Sequence, residues 1–571
     1  MATPESMSSE PAITAAPETL KSRLREIALF ILAALAINLA GNGRVSLWDR
    51  DEPRYATCTR EMRQSGDLIH PTFNGEPRYH KPVMIYWLML IGTGVGGDNP
   101  FGARLISTLA GVGTVLAVRA LGRRMFGART GRIAALVALT APLMIVESKL
   151  ATIDATLTLT LVLCQFALWE LSQRESRRWA IVFWVGLAAA TLLKGPIGPV
   201  LLAVSAFASW WWAGPTGFWK RLQWRWGIPV FLMLTAPWYI AIGVISHGEF
   251  YRQAIGFHVI TRATHGIEQH GGFPGYYPVL TLVTFHPWSA LIPVAVFAAW
   301  KRRKENPAFG FLLGWAVGPL VLLEIVRTKL IHYYVPALPA CALLISWLVL
   351  EVEASAVNLR RWPLGRLAVG LLTSVGIGLT VLLLALVLLI PWSLRVPTLV
   401  IALTIAAGTL VAIERLFSGR TVRGVYVLAG TWAVAMFVVG SWLLPAAEPF
   451  RISKTVAREL DKVAKHEHAE PMLATFQEPS VIYDLGRPAE MMTTRDRLAE
   501  RVRKDGRIVT ALMPHEIKIL EKDPRWSMEP KDVIQGFNLD KGRREMLQVM
   551  LLRPADPSAT ALRVDEKSVV K

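Results

Sequence analysis

The sequence predicts an α-helical polytopic membrane protein with a small C-terminal α/β domain, and three observations carry this prediction. Of the 571 residues, 53% are hydrophobic and 18% are charged, which is more apolar surface than a water-soluble domain of this size buries. The apolar runs are too many and too long for a single anchor, and they stop near Leu444. The basic residues behind the net charge of +19 cluster between apolar runs, as in cytoplasmic loops, which speaks against a nucleic-acid partner.

Three regions follow from this pattern. Residues 1–25 are predicted to form a disordered cytoplasmic tail, because they are rich in Ser, Thr, Ala, Pro and Glu and contain no apolar core. Residues 26–444 form the membrane body and residues 445–571 the soluble domain. Thirteen spans are predicted, at 26–43, 104–121, 131–147, 153–171, 179–193, 197–213, 226–246, 276–300, 308–326, 332–350, 367–390, 397–413 and 424–444.

One further apolar stretch, residues 83–97, is short and interrupted by glycines. All the basic clusters fall on one side of the membrane only if this stretch does not cross it. It is therefore predicted to be an interfacial or re-entrant helix inside one large external loop, residues 44–103. The N-terminus is then cytoplasmic and the C-terminal domain extracytoplasmic, which we expect to be the periplasmic side of a cell inner (plasma) membrane.

In the soluble domain, helical patterns alternate with short β-rich runs, which indicates an α/β fold. Helices are predicted at 454–465, 495–503 and 515–522, and strands at 481–483, 508–511 and 546–552. Cys58, Cys164 and Cys341 show no metal-ligand spacing, so neither a disulfide framework nor a zinc motif is predicted.

The external loop begins with two adjacent carboxylates, Asp51 and Glu52, followed by Arg54. These acids could remove a proton from an attacking hydroxyl or hold a metal ion, with Arg54 near enough to bind a phosphate. In the alternative interpretation, the acids cap and stabilise the start of a helix, and Arg54 extends its charge to the membrane surface. From these residues alone, the two interpretations are about equally supported.

Other polar residues lie where predicted helices meet the outer surface. Asp154, Lys194 and Lys329 all fall on one side of the membrane, so we expect them to converge on one pocket, although charges at helix ends are common. His80 and Lys81 stand before the interfacial stretch, where a lysine also serves as a membrane anchor. The loop 246–275 is rich in His, Arg and Gly, which is typical of a lid or substrate loop.

Several of these segments together resemble a known family. They are Asp51-Glu52-Pro53-Arg54-Tyr55-Ala56, Lys81-Pro82, Leu193-Lys194-Gly195 and Lys329 to Tyr333, in this order and spacing across most of the membrane body. With them the sequence resembles the polytopic glycosyltransferases of the aminoarabinose transferase and protein mannosyltransferase kind. The resemblance implies a GT-C fold and an extracytoplasmic C-terminal α/β domain.

The resemblance also implies roles for single residues. It suggests Asp51 and Glu52 as catalytic carboxylates, and Arg54, Lys81, Lys329 and Tyr333 as donor phosphate-binding residues. Asp154, Lys194 and Arg262 would line the pocket, and His80 and His258 would be the candidate metal ligands. His80 stands where the aminoarabinose transferases usually have an acid, so the identity of any metal is left open.

The function that the resemblance implies is transfer of a sugar from a polyprenyl (undecaprenyl) phosphate to an extracytoplasmic acceptor such as lipid A, another glycolipid or a protein, with inversion. We expect at most a divalent ion, Zn²⁺, Mg²⁺ or Mn²⁺, as cofactor, and no nucleotide, since no nucleotide-binding motif is evident. The expected partners are the lipid-linked donor, the acceptor and membrane lipids.

Two other classes of function share some of these features. A secondary transporter would also have many spans and charges at the membrane edge. The sequence shows no paired repeat halves, however, and its polar residues gather at one face rather than at the midplane. A membrane scaffold that displays the α/β domain would need far fewer than thirteen spans.

Overall fold

The computed structural model describes residues 19–49, 51–214, 217–261, 272–355, 363–474, 476–492, 494–538 and 542–555. Helices dominate this part of the chain as far as residue 450. In chain order, the helical segments are Leu20–Leu39, Asp51–Ser65, Met84–Gly96, Pro100–Phe126, Ala128–Thr140, Pro142–Lys149, Asp154–Gln173, Arg177–Lys194, Ile197–Ala213, Phe218–Arg221, Trp224–Ile245, Glu249–Tyr251, Arg252–Thr261, Tyr276–Thr284, Trp288–Leu291, Ile292–Arg302, Pro307–Ile325, Ile331–Ala337, Leu338–Ala354, Pro363–Leu389, Trp392–Phe417, Thr421–Val438, Val439–Leu443, Leu444–Ala447 and Glu448–Phe450.

This is a multi-span membrane protein. Eight of the helical segments in the described ranges are long and apolar enough to cross a membrane, and a ninth span is formed if Ala128–Thr140 and Pro142–Lys149, which meet at 62°, are counted as one. The other four predicted spans coincide with helices that carry more charge, are shorter or are broken. They are Leu20–Leu39, Arg177–Lys194, Ile197–Ala213 and the pair Tyr276–Thr284 and Ile292–Arg302. The count of thirteen stays a prediction.

The spans divide into central and peripheral helices. In the most apolar stretch of the segment Ile331–Ala354, 89% of the residues are buried. In that of Pro363–Leu389 only 11% are buried, although this stretch is more hydrophobic. A helix that is apolar all round and exposed in this way is solvated by lipid tails. The segment Ile331–Ala354 therefore lies at the centre of the body and Pro363–Leu389 at its periphery.

Small residues allow two of the central helices to approach closely. Gly310, Gly314 and Gly318 follow one face of the helix Pro307–Ile325, and a Cβ atom added at Gly314 would lie 2.2 Å from the backbone nitrogen of Ser209. The Ser209 hydroxyl donates a hydrogen bond to the carbonyl of Phe311 at 3.0 Å. Such a small-residue stripe is a typical contact between membrane helices, because apolar burial alone does not drive their association in lipid.

The substitution Gly314→Leu should therefore weaken the membrane body. We expect a lower thermal unfolding midpoint in detergent, with a loss of stability of about 1–3 kcal/mol, because the larger side chain forces the helices apart. The matched control is Gly430→Leu, since Gly430 is exposed and no atom lies within 4 Å of a Cβ added there. Equal midpoints for the two variants would contradict the close contact.

The first helix and the short apolar stretch of the external loop can be compared with their predictions. The first helix begins at Leu20, not at residue 26, because the Thr19 side chain accepts a hydrogen bond from the amide of Ser22 and caps it. The stretch predicted not to cross forms the helix Met84–Gly96 of 13 residues. At about 20 Å it is shorter than the hydrocarbon core of a bilayer.

The external loop also contains a helix, Asp51–Ser65, and a hairpin of the strands β1 (Thr72–Phe73) and β2 (Glu76–Pro77). We call Asp51–Ser65 the loop helix. Arg60 of the loop helix binds Asp98 at 2.8 Å, and Arg63 donates to the hydroxyl of Thr93 on the short interfacial helix. These contacts join the loop helix to the membrane surface.

The C-terminal domain is built on a five-stranded sheet of order β4-β3-β5-β7-β6. The strand β3 (Glu470–Leu473) runs parallel to both β4 (Glu490–Met491) and β5 (Ile508–Leu512), whereas β5, β7 (Arg543–Pro554) and β6 (Trp526–Asn538) are antiparallel neighbours. Alternate residues of the strands enter two separate apolar clusters, one beside the helix Ile452–Glu467 and one beside Arg495–Asp505. The remaining helices are Pro479–Leu485 and Pro514–Leu520.

The predicted helices of this domain and the strands at 508–511 and 546–552 agree with the structure. The predicted strand 481–483 is wrong, because these residues belong to the helix Pro479–Leu485. Its first turn is stabilised by Asp49, which accepts hydrogen bonds from the amide and hydroxyl of Ser480 at 2.8 and 2.5 Å. Asp49 lies 431 residues earlier in the sequence, so no local pattern indicates this helix start.

A buried arginine fixes the chain that leads into the loop helix. Arg104 donates hydrogen bonds of 2.8 to 2.9 Å to the carbonyls of Asn42, Val45 and Ser46, and it binds both carboxylate oxygens of Glu52 at 2.7 and 2.8 Å. Glu52 is 1% exposed. It also accepts from the backbone amides of Trp48 and Ala151 at 2.7 and 2.5 Å. This geometry favours a structural role for Glu52 over the predicted catalytic one.

The two adjacent acids should therefore differ in their effect on stability. Glu52→Gln removes the charge that balances buried Arg104, and we expect it to cost about 3–5 kcal/mol of folding free energy. Asp51→Asn should change stability by less than about 0.5 kcal/mol, because the Asp51 side chain is exposed. Thermal unfolding of the two purified variants in detergent measures their stabilities. Similar unfolding midpoints would contradict the expected difference between Glu52→Gln and Asp51→Asn.

Candidate functional site

Asp51 is the exposed carboxylate at the centre of the candidate site. It is the first residue of the loop helix, where an acid is favoured by the positive end of the helix dipole. Its side chain is 60% exposed and lies 4.0 Å from the guanidinium of Arg54. The structure thus separates the two acids, since Glu52 points into the protein and Asp51 faces outwards.

A buried charged cluster lies beneath the external loop. Lys194, the last residue of the helix Arg177–Lys194, forms an ion pair with Asp154, the first residue of Asp154–Gln173. The Nε2 atom of His332 lies 3.8 Å from the same carboxylate. The Lys194 ammonium also lies 5.1 Å from the ring centroid of Tyr333. Of the three residues expected to converge, Asp154 and Lys194 are in contact here, and the roles predicted for Asp154, Lys194 and Tyr333 stay predictions.

This cluster forms one end of a cavity of about 210 Å³. Its other walls are apolar and come from four helical segments, with lining residues that include Leu157, Ile197, Leu201, Leu323 and Pro336. An apolar cavity with a few charged groups at one end suits a ligand that combines a hydrocarbon chain with a polar head.

Lys81 and Asp51 lie close enough to act electrostatically on the buried cluster. The positive charge of Lys81 acts on Asp154 and on His332, and the negative charge of Asp51 acts on His332. Lys81 and its neighbour His80 are both half-buried before the interfacial helix. The predicted residues Asp51 and Lys81 therefore lie within electrostatic range of the buried cluster, and Arg54 lies beside Asp51.

Lys329 has a different environment from the one predicted. It is 5% exposed and forms an ion pair with Glu324, the penultimate residue of the helix Pro307–Ile325. It also donates to the carbonyl of Phe273 at 3.3 Å, whereas its neighbour Thr328 lines the cavity. Lys329 therefore ties the loop at 273 to the helix end, and this geometry does not favour a phosphate contact.

Two predicted site residues cannot be located. Arg262 lies outside the described residues, and only the backbone of His258, in the helical segment Arg252–Thr261, is described. Conversely, sequence reasoning did not single out Arg104, His332 and Glu324. An acid and an arginine inside otherwise apolar segments are the signal that could have identified Glu324 and Arg104.

A second cavity, of about 440 Å³, lies next to the chain that leads into the loop helix. Trp48, Asp49, Arg104 and Lys149 line it, and apolar residues of the helices Pro142–Lys149 and Thr421–Val438 complete its wall. Leu150 lines this cavity and Asp154 lines the first one. The two cavities are therefore lined by residues only four positions apart in the sequence.

The arrangement combines an exposed carboxylate, two nearby cations and an apolar groove. A carboxylate of this kind can accept a proton from a hydroxyl, and the cations can stabilise negative charge that develops on a departing phosphate. In the described part of the chain, no three His, Cys, Asp or Glu side chains come together as metal ligands.

Known proteins resemble this chain in sequence and in structure. The profile of the dolichyl-phosphate-mannose-protein mannosyltransferase family matches residues 24–250. An undecaprenyl phosphate-α-4-amino-4-deoxy-L-arabinose arabinosyl transferase from Pseudomonas fluorescens is 32% identical over 54% of this chain and 53% of its own length. One from Pseudomonas aeruginosa is 31% identical over 57% of this chain and 60% of its own length. The chain thus spans little more than half the length of these curated relatives.

Solved structures establish the fold over nearly the whole chain. ArnT from Cupriavidus metallidurans, bound to undecaprenyl phosphate, superposes with a TM-score of 0.77 over 93% of this chain and 98% of that one, at 22% identity. Its apo structure gives a TM-score of 0.75 at 21% identity. The predicted GT-C fold with a C-terminal α/β domain is confirmed.

Proposed function

We propose that this protein is a membrane glycosyltransferase that moves a sugar from a polyprenyl phosphate to an extracytoplasmic acceptor. The observation that carries the proposal is the apolar cavity of about 210 Å³ that is lined by the charged pair Asp154 and Lys194 and by Tyr333. A polyprenyl chain fits the apolar walls, and its phosphate and sugar then lie at the charged end. The matched relatives are transferases, which favours this function over the transporter alternative.

The reaction follows from the charges at the cavity end. Asp51 accepts the proton of the acceptor hydroxyl as the hydroxyl oxygen bonds to the anomeric carbon of the sugar. The bond from that carbon to the phosphate oxygen breaks, and the phosphate leaves with the bonding electrons. Arg54 and Lys81 stabilise its negative charge. Attack opposite the leaving group inverts the anomeric centre, and the products are the glycosylated acceptor and polyprenyl phosphate.

The proposed steps are carried by side chains of this chain. The candidate ligands do not form a dedicated site among the described residues, and His80 supplies no negative charge. The ion pair between Lys194 and Asp154 leaves this buried pair without net charge. A need for Zn²⁺, Mg²⁺ or Mn²⁺ therefore stays a prediction, to be tested by adding a chelator to the transfer assay.

The acceptor class follows from the second cavity. Its size of about 440 Å³ and its mainly apolar wall favour an acceptor that carries acyl chains, such as lipid A or another glycolipid, over a soluble protein. The matched relatives are named for transfer of aminoarabinose from undecaprenyl phosphate. This pentose is the first sugar to test.

The proposed orientation places the N-terminus in the cytoplasm and the C-terminal domain outside, because the basic clusters then face the cytoplasm. A membrane-impermeant maleimide should label Ser527→Cys but not Lys304→Cys in spheroplasts, and both after lysis. The native cysteines give little background, since all three are buried and burial raises the pKa of Cys58 to about 12. The reverse labelling pattern would refute this orientation.

The transfer assay tests the function directly. Membranes that contain the wild type should transfer radiolabelled aminoarabinose from undecaprenyl phosphate to added lipid A, and Asp51→Asn should reduce the rate by about 10²–10⁴-fold because the proton acceptor is lost. Protein levels are matched by immunoblot.

Glu76→Gln is the matched control for Asp51→Asn, because Glu76 is an exposed acid of the same external loop and should transfer at the wild-type rate. Equal rates for the wild type and Asp51→Asn would reject Asp51 as the base. An absence of transfer by the wild type, across donors with other sugars, would refute the proposed function and support the transporter.

A further inference from the structure

The C-terminal domain contacts the external loop immediately before Asp51. Both carboxylate oxygens of Asp49 accept hydrogen bonds from Ser480, one from its amide at 2.8 Å and one from its hydroxyl at 2.5 Å. Ser480 is 2% exposed. A carboxylate held by a buried hydroxyl and an amide is strongly oriented, since charge-assisted hydrogen bonds are short and directional.

A second residue of the C-terminal domain holds the backbone just ahead of Asp49. Arg451 donates hydrogen bonds to the carbonyls of Ser46 and Leu47 at 2.8 and 2.7 Å, and its guanidinium lies 5.4 Å from a ring centroid of Trp48. Ser46 is also bound by Arg104 of the membrane body. The chain entering the loop helix is therefore held from both domains.

The same domain contacts the external loop beyond Asp51. Arg60 of the loop helix donates to the carbonyl of Tyr483 at 2.7 Å and stacks on the Tyr483 ring at 4.2 Å. Asn74 pairs with the backbone of Ala489 in both directions, at 2.8 and 2.9 Å. The short segment 479–489 thus contacts the loop on both sides of Asp51.

Asp51 itself is positioned by its backbone. Its side chain is 60% exposed, and Arg54 lies 4.0 Å away, so side-chain packing does not restrict it strongly. Its position is set by the chain from Ser46 to Asp49 and by the axis of the loop helix. Both are held by residues of the C-terminal domain.

From these contacts we propose that Ser480 is a positioning residue for the transfer reaction, and that the C-terminal domain forms part of the scaffold of the active site. Ser480 holds Asp49, and Asp49 fixes the approach of the chain to Asp51. The inference rests on the proposed function. It predicts an effect on turnover that exceeds any effect on donor binding, because the donor cavity contains no residue of this domain among its lining residues.

Transfer kinetics provide the first test. We expect Ser480→Ala to lower kcat by about 10- to 100-fold, since a misplaced catalytic group reacts slowly, with the KM for the donor changed by less than about twofold. Ser480→Thr keeps the hydroxyl and should restore much of the rate. The double variant Asp49→Asn/Ser480→Ala should lose no more kcat than the more impaired single variant, because the two substitutions remove the same contact.

The control is Ser527→Ala, an exposed serine on the strand β6 of the same domain, which should have the wild-type kcat. A wild-type kcat for Ser480→Ala, or additive losses in the double variant, would overturn the inference while leaving the proposed function intact. If the wild type itself transfers no sugar, the proposed function fails. Hydrogen exchange then tests separately whether the C-terminal domain holds the chain before Asp51.

Hydrogen exchange of the intact protein in detergent is that second test, and it needs no substrate. In Ser480→Ala, the amides of residues 45–56 should exchange at least about tenfold faster than in Ser527→Ala, because local opening becomes easier. Exchange in the helix Pro307–Ile325 and in the strands β5 and β7 should be unchanged. Unchanged exchange there would show that both domains remain folded. Equal exchange of residues 45–56 in the two variants would overturn the inference.

Discussion

The arrangement of the candidate site depends on one buried arginine. Arg104 stands at the start of a membrane helix and satisfies three backbone carbonyls and the carboxylate of Glu52. The peptide segment that it binds has no regular secondary structure, so its carbonyls need partners from elsewhere in the protein. A guanidinium has enough donors in one plane to supply them, which a lysine does not. Glu52 is turned inwards by this contact, whereas the neighbouring Asp51 is exposed.

Much of the membrane body could be predicted from the sequence, because the physics that sets it is local. Long apolar runs give the spans, and the placement of basic residues separates the short interfacial helix from them. The convergence of Asp154 and Lys194 was also predictable, since alternate helix ends share one side of the membrane. What the pattern could not show is that these two residues form an ion pair, because pairing depends on how the helices pack.

The contacts that the sequence could not predict are long-range. Lys329 pairs with Glu324, which belongs to a stretch predicted to be an apolar span. Glu52 pairs with Arg104, which is 52 residues away, and the roles predicted for Lys329 and Glu52 stay predictions. The segment 481–483 was expected to be a strand, since Val, Ile and Tyr favour strands. It is helical because a carboxylate from the external loop binds its first turn.

The contact between Asp49 and Ser480 also has a consequence for biosynthesis. It joins residues 431 positions apart, so a chain emerging from the ribosome has placed all its membrane helices before the partner of Asp49 exists. Until the last part of the chain has been made and has folded, the segment before Asp51 lacks its contacts with Arg451 and Ser480. A truncated or unfinished chain therefore lacks these contacts, and under the proposed function we expect it to be a poor catalyst of unwanted sugar transfer or donor hydrolysis.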